Sequence, residues 1–358
     1  MKYIVIILLT IVMFTGCDNT QKGYMPIPEF TDNSKPVSYG NHQDVYLFSN
    51  QEQSNDIRNL MKKEFGFPLE GAQKEKTFEL LWKRFQDFEE FKKAKNVMFI
   101  CNLGIQDSFT SFVRSKIPRD KLDGVINGSS TIITYQNEWS DDQLVTFILA
   151  QDENSLENII LARSTNLYQD FAKRFLNRMT RRVYYRGTLK GNEFQDYPYS
   201  LKIPSTFQVY KEDKSQNMIS FIHRYKKKDT TLPDKFFSIY MEKMDEGELT
   251  EEWVKNVRKE IGTKILDGDE IDWMRTKMLA KTFTTWDNIN YYGYILEGAW
   301  ENDSTKMGGS FKSYAFYDRQ TKAGYFIDTA VYYPAGTKVP YLAELEGIAK
   351  SFNIKEQK

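Results

Sequence analysis

Cys17 stands just past a twelve-residue uncharged run, Tyr3 to Phe14, with only Thr15 and Gly16 between. A thiol after small residues at the end of such a run is a candidate for acylation. The second cysteine, Cys101, closes the apolar stretch Val97-Met98-Phe99-Ile100-Cys101 and reads as a small core residue. A nucleophilic thiol needs a nearby base, and neither His42 nor His223 neighbours a cysteine, serine or carboxylate in a recognisable pattern. The densest charge feature is cationic. Lys173, Arg174, Arg178, Arg181, Arg182, Arg186 and Lys190 lie between Asp170 and Glu193 with no acid among them. Cations complement the C-terminus of a helix, but at 100° per residue Arg178 and Arg182 fall near the helix's apolar stripe. The reading is a solvent-accessible basic patch, with Arg174, Arg178, Arg181 and Arg182 as candidate contacts to a phosphate, anionic headgroups or a second domain. Trp300 and the pair Gly308-Gly309 are further candidate ligand contacts, because glycine lets a backbone approach closely; a hairpin turn or bulge is the structural alternative.

Other chemistry is thin. The acids Glu297, Asp303, Asp318 and Asp328 lie on or between adjacent candidate strands, and two of them could flank a glycosidic bond. There is no phosphate-binding glycine loop, no His-Glu-x-x-His and no Gly-x-Ser-x-Gly. No metal, cofactor or catalytic residue is expected. Lys+Arg and Asp+Glu both total 49, so no global field draws in nucleic acid.

The elements that must position these residues begin with the N-terminus. Met1-Lys2, the apolar run and Phe14-Thr15-Gly16-Cys17 resemble the lipobox of bacterial lipoproteins, with Phe14 where Leu is usual. Residues 1–16 are then a cleaved leader. Two or three acyl chains such as palmitate, each buried methylene contributing about 0.8 kcal/mol, hold Cys17 on a membrane. Residues 17–43, rich in Asn, Ser, Gly and Pro, read as a tether. Asn19-Thr20-Gln21-Lys22 supplies no acidic run of the kind that resembles a surface-export signal, which favours an outer-membrane anchor facing the periplasm.

The 25 Phe, 22 Tyr and 6 Trp argue for real cores. Residues 44–187 alternate strands and helices. They end in a long helix from Asn154, whose stripe is Leu156, Ile159, Ile160, Leu167, Phe171, Phe175 and Met179, with Asn154 and Glu157 as a capping box. Residues 188–198 read as a linker. Residues 199–355 read as an antiparallel sheet covered on one side by helices, the last helix starting at Thr337 with Pro340 in its first turn. Lys226-Lys227-Lys228 suits a solvated hairpin tip. The fold class is α+β in two domains, each a mixed or antiparallel sheet with helices packed on it, rather than a regular doubly wound sheet.

The segments Gly298-Ala299-Trp300-Glu301-Asn302-Asp303 and Met307-Gly308-Gly309-Ser310-Phe311 carry a further likeness, as do Val331 to Lys338 and Leu201-Lys202-Ile203-Pro204. Together they resemble a Bacteroidetes family of uncharacterised lipoproteins catalogued as a domain of unknown function. Ser310 departs from it, where the family often has proline. The resemblance covers nearly the whole mature chain and implies a lipoprotein without supplying an activity. The element order of the second half resembles the Mog1/PsbP type of α/β/α sandwich. The expectation is an envelope lipoprotein, a non-enzymatic binding or assembly protein whose partner is an envelope protein or glycan. The alternative is a carboxylate-dependent hydrolase acting on glycans or lipids.

Overall fold

The computed structural model describes residues 34–356 apart from 51–54, 66–67, 70–74, 191 and 225–231. Cys17, residues 1–16 expected as a leader, residues 18–33 and Lys226 to Lys228 lie outside the described residues. The first unit contains, in chain order, β1 (Asp44–Ser49), α1 (Asn55–Phe65), the two-residue strands β2 (Pro68–Leu69) and β3 (Glu75–Lys76), β4 (Glu79–Trp82), α2 (Phe88–Phe91), β5 (Asn96–Asn102), α3 (Ser108–Lys116), α4 (Arg119–Ile126), β6 (Thr131–Gln136), β7 (Leu144–Ala150) and α5 (Glu153–Val183).

Its sheet runs β4-β1-β5-β7-β6. The first four strands are parallel, and β6 pairs antiparallel with β7 at one edge. The sheet is mixed, as expected, yet helices cover both faces. α1 and α5 pack Ile57, Met61, Leu156 and Phe171 on one side, and α3 and α4 pack Phe109, Val113 and Val125 on the other. The physical reason is visible in β5 and β7, whose continuous apolar runs leave neither face fit for water.

α5 is 31 residues long and begins one residue before the expected start. Its N-cap is Asp152, whose side chain accepts from the Ser155 backbone N–H at 2.8 Å, so the cap is not the Asn154–Glu157 box. Residues 35–39, within the stretch expected as tether, dock on this unit. Lys35 Nζ donates to the Asn137 carbonyl at 2.6 Å, and Val37 and Tyr39 form single bridges to Asp141 and Ala94.

The second unit contains β8 (Tyr199–Ser200), β9 (Gln208–Asp213), β10 (Met218–His223), β11 (Asp234–Lys243), α6 (Glu251–Lys264), β12 (Glu270–Thr284), β13 (Asn290–Asn302), β14 (Met307–Asp318), β15 (Ala323–Tyr332), α7 (Val339–Ala349) and β16 (Asn353–Ile354). Its seven-stranded sheet, β12-β13-β14-β15-β11-β10-β9, is antiparallel throughout. Helices cover both faces here as well, not one. α7 packs Leu342, Leu345 and Ile348 on one face, and α6 packs Val254, Val257 and Ile261 on the other. Interior strand β11 explains this: Phe237 and Ile239 point to the α7 side, Phe236 and Tyr240 to the α6 side. In residues 188–198, Phe194 and Tyr197 sink into the α7-side core, so this stretch packs with the second unit.

The units meet along α5 and α7. Val339 joins the core of the first unit. Gly347 sits so close to α5 that a Cβ there would fall 2.4 Å from Thr180 Oγ1. Thr337 is not the cap of α7. That role falls to Glu75 of β3, whose carboxylate accepts from Thr337 Oγ1 and the Lys338 N–H, each at 2.6 Å, and from the Val339 N–H at 3.3 Å. Lys338 Nζ, also buried, lies 3.0 Å from the same carboxylate.

Candidate functional site

The cationic run splits in two. Arg174 and Arg178 are 5% and 2% exposed, so the expected accessible patch is corrected there. Both reach Asp142 in the β6–β7 loop, Arg174 at 3.1 Å and Arg178 at 3.2 Å, and Arg181 joins them at 2.6 Å. Arg178 also donates to Asn96 Oδ1 at 2.8 Å and to the Lys95 carbonyl at 3.0 Å. These three arginines therefore clamp the N-terminal ends of β5 and β7. The apolar stripe admits them because a carboxylate and fixed carbonyls wait opposite. Burial pulls the Arg178 guanidinium down to about 10, with Asp142 opposing. Burial pushes Asp142 up, but Arg178, Arg181 and Arg174 outweigh it and hold its carboxyl below the usual range. His42 is pushed down to about 4 by burial, then by Lys95, Arg178 and Arg182, and is neutral at neutral pH.

Arg182 and Arg186 continue past the clamp into a cleft of about 550 Å³, where the end of α5 meets β10, β11 and α7. Arg182 Nε donates to Glu344 Oε1 at 2.7 Å, and Lys235 Nζ reaches the other oxygen at 2.9 Å. Glu344 is 4% exposed and Lys235 5%, so this pair is buried within the second unit, and the exposed Arg182 joins it from the first. Arg224 lines the cleft too and pairs with Asp234 at 2.7 Å. Arg186 is exposed, and no carboxylate among the described residues pairs with it. The cleft thus sets four cations against two acids. Its walls are Tyr185, Tyr341, Leu232 and Pro233. His223 lines it as a neutral group, pushed down to about 4 by burial and Lys235. Sequence reasoning missed Lys235, Arg224 and Glu344, which reach the cleft from distant strands and helices. One clue was available: Glu344 falls among the apolar residues Leu342, Leu345 and Ile348 of a largely apolar helix.

The other candidates separate. Trp300 is 2% exposed and belongs to the α6-side core. Gly308 and Gly309 form no turn, since the β13–β14 turn is at residues 303–306 and both glycines lie in β14. Gly309 is there for space, because a Cβ would fall 2.7 Å from Trp300 Nε1 and 2.0 Å from the Val331 carbonyl oxygen. Asp303 is fully exposed beside Lys306, Asp318 is spent on Thr321, and Asp328 is buried against Arg258 and Ser313.

Glu297 finds a second carboxylate, Glu346 of α7, through Lys312, whose Nζ lies 2.7 Å from one and 2.9 Å from the other. Those oxygens are within about 5.6 Å of each other, close to the spacing of a retaining glycosidase. The electrostatics leave Glu346 unsuited to be the general acid of such a pair. Burial raises Glu346, yet Lys312 and Lys350 overcome it and hold the carboxyl below its ordinary range, whereas a general acid needs a raised one. Cys101 is buried and its thiol is pushed up to about 12, so it is inert as a nucleophile. Among the described residues no group of three His, Cys, Asp or Glu side chains converges to hold a metal.

Comparison with known families divides the chain as the two sheets do. Residues 38–184 match the Domain of unknown function (DUF8532), and residues 190–351 match the Domain of unknown function (DUF4837). The chain joins two domains of unknown function. It matches none of the curated proteins. Among solved structures it is similar to the Ran-binding protein Mog1p of Saccharomyces cerevisiae, at 10% identity over 44% of this chain and 90% of that one, with a TM-score of 0.28. LpqN of Mycobacterium tuberculosis, described as involved in cell envelope biogenesis, is similar at 10% identity over 44% and 83%, with a TM-score of 0.27. A protein of Bacteroides thetaiotaomicron is similar at 8% identity over 45% and 46%, with a TM-score of 0.25. Likeness at these scores bears on no ligand, partner or activity.

Proposed function

We propose that this chain is an envelope lipoprotein, held on the outer membrane by acylated Cys17 and facing the periplasm, and that its folded body is a binding protein rather than an enzyme. Its ligand is an anionic group of an envelope protein or glycan, received in the cleft beside Arg182 and Arg186. The observation that carries the binding reading is the cleft's surplus of cations, with Arg186 exposed and without a carboxylate among the described residues. Guanidinium groups suit such ligands because their planar donors match carboxylate and phosphate oxygens in pairs.

The anchor and the cleft are tested separately. Cys17→Ala should move the protein from the membrane fraction to the soluble fraction, and retention in the membrane would refute the anchor. For the cleft, soluble protein is titrated with inorganic phosphate by calorimetry. Saturable binding is expected, weakened about tenfold in Arg186→Glu. The thermal midpoint should hardly move, because the side chain is exposed. Phosphate binding indifferent to Arg186 would remove the cleft from the proposal and leave the anchor standing.

A further inference from the structure

The α6 face of the second sheet holds a smaller, more enclosed cavity, about 190 Å³ in volume, roofed by the loop Ile265 to Asp269 that follows α6. The loop turns back on itself through Asp267 and Gly268, both at positive φ, of 56° and 97°. It is tied across the sheet to β9 by the Tyr210 hydroxyl, which donates to Asp267 at 2.9 Å. Tyr210, Phe236 and Trp300 supply aromatic walls and Met307 an aliphatic one. Asp269 also lines the space. It is 8% exposed, and one of its oxygens accepts from Asn302 Nδ2 at 2.8 Å. Among the described residues nothing donates to its other oxygen.

Charge accounting isolates this carboxylate. Arg258 of α6 faces both Asp269 and Asp328 of β15, but its Nε lies against Asp328 at 3.1 Å. Lys211 of β9 is engaged by Asp267 at 2.7 Å, and Arg224 at the rim by Asp234 at 2.7 Å. Arg258 is thus shared by two acids, its guanidinium nitrogens donating a hydrogen bond to neither, and these three cations face four acids, which leaves one net negative charge beside Asp269. Burial pushes its carboxyl up to about 6, with the Asn302 bond and Arg258 pulling against it. Isolated buried charge is costly, and a cation entering the cavity would relieve it. The volume equals about six waters at roughly 30 Å³ each, more than a bare ion fills.

From this arrangement we infer that the cavity binds a small organic ammonium group, its charge against Asp269 and its carbons against Tyr210, Phe236 and Trp300. Aromatic faces and a carboxylate are the combination that recognises such a cation. The cavity shares Arg224 with the cleft at Arg186, but Asp269 lines only the cavity and Arg186 only the cleft, so variants of these two residues test the sites independently.

The test is calorimetric titration of the full soluble protein with tetramethylammonium, choline and L-alaninamide, with glucose as the neutral control and sodium chloride matching ionic strength. Saturable binding of at least one ammonium probe and none of glucose is expected near pH 8. It should weaken about tenfold or more near pH 5, where Asp269 is protonated. Stronger binding of choline would point to a lipid headgroup, stronger binding of L-alaninamide to a peptide amino terminus, and either supports the inference. Asp269→Asn keeps the oxygen that accepts from Asn302 and should abolish binding. Met307→Trp, filling the cavity from another wall, should do the same and serves if the first variant fails to fold. No saturable binding of any ammonium probe, equal binding of glucose, or binding that survives both variants would overturn the inference.

Discussion

Asp142 carries more than its sequence context suggests. One carboxylate holds three arginines, two of them nearly buried. Removing one partner of a buried pair typically costs about 3–5 kcal/mol, because the remaining charge stays in low dielectric. Asp142→Asn should therefore destabilise the first unit by at least about 3 kcal/mol in urea unfolding, far more than a surface acid. The acid limb follows from the same site. The folded carboxyl lies below its unfolded value, so its stabilisation is full above the unfolded value near pH 4 and is lost as pH falls through the lower, folded value. The parent should lose stability steeply below about pH 4, and Asp142→Asn should show a shallower slope. Half of this was legible in the sequence. Helical spacing put Arg178 on the apolar stripe, but its partner lies 36 positions away in a loop with no pattern of its own. Trp300 and the pair Gly308-Gly309 stand out in the sequence as candidate ligand contacts, but the packing of Gly309 against Trp300 does not. Gly309 is empty space for the Trp300 indole, so Gly309→Ala should cost about 1–3 kcal/mol in the same assay.

At the scale of elements, the long periodic segments were readable and the short polar ones were not. β5, β7, β13, β14, β15 and α5 follow directly from apolar runs, alternation or a stripe. α4, whose sequence is Arg-Asp-Lys-Leu-Asp-Gly-Val-Ile, buries only Val125, and β9 buries no residue fully, so neither advertises a face. At the start of the second unit only Tyr199 and Ser200 form a strand, paired with β16. α7 is a case in which the element was legible and its cap was not. Glu75 completes it from the other unit, and the buried Lys338 depends on that carboxylate. Glu75→Ala should cost about 3 kcal/mol or more, whereas Thr337→Val, which removes one hydroxyl donor, should cost only about 1 kcal/mol. Equal effects would show that Thr337, not Glu75, governs the helix start.

For the whole molecule, the sequence disclosed two α+β halves but not that they are locked. Mixed and antiparallel sheets follow from strand patterns. Which faces are covered, and how the halves meet, depends on contacts between distant residues. Thr180 against Gly347 and Val339 in the foreign core make α5 and α7 one shared layer. The parent should therefore unfold in one calorimetric transition despite its two sheets. Gly347→Leu would force the helices apart, and two transitions should appear. If the parent already shows two, the shared layer is too weak to couple the units.

The reach of that cap also sets an order of events. Glu75 and the Lys338 backbone are 263 positions apart, so the first unit waits for a helix made much later before its own apolar surface is closed. A ribosome-stalled or clipped chain ending before Val339 would present that opening to proteases and chaperones for as long as it existed. Possession of α7 is thereby built into the molecule's survival: a chain missing that helix is expected to be cleared, even though most of both sheets could already have formed.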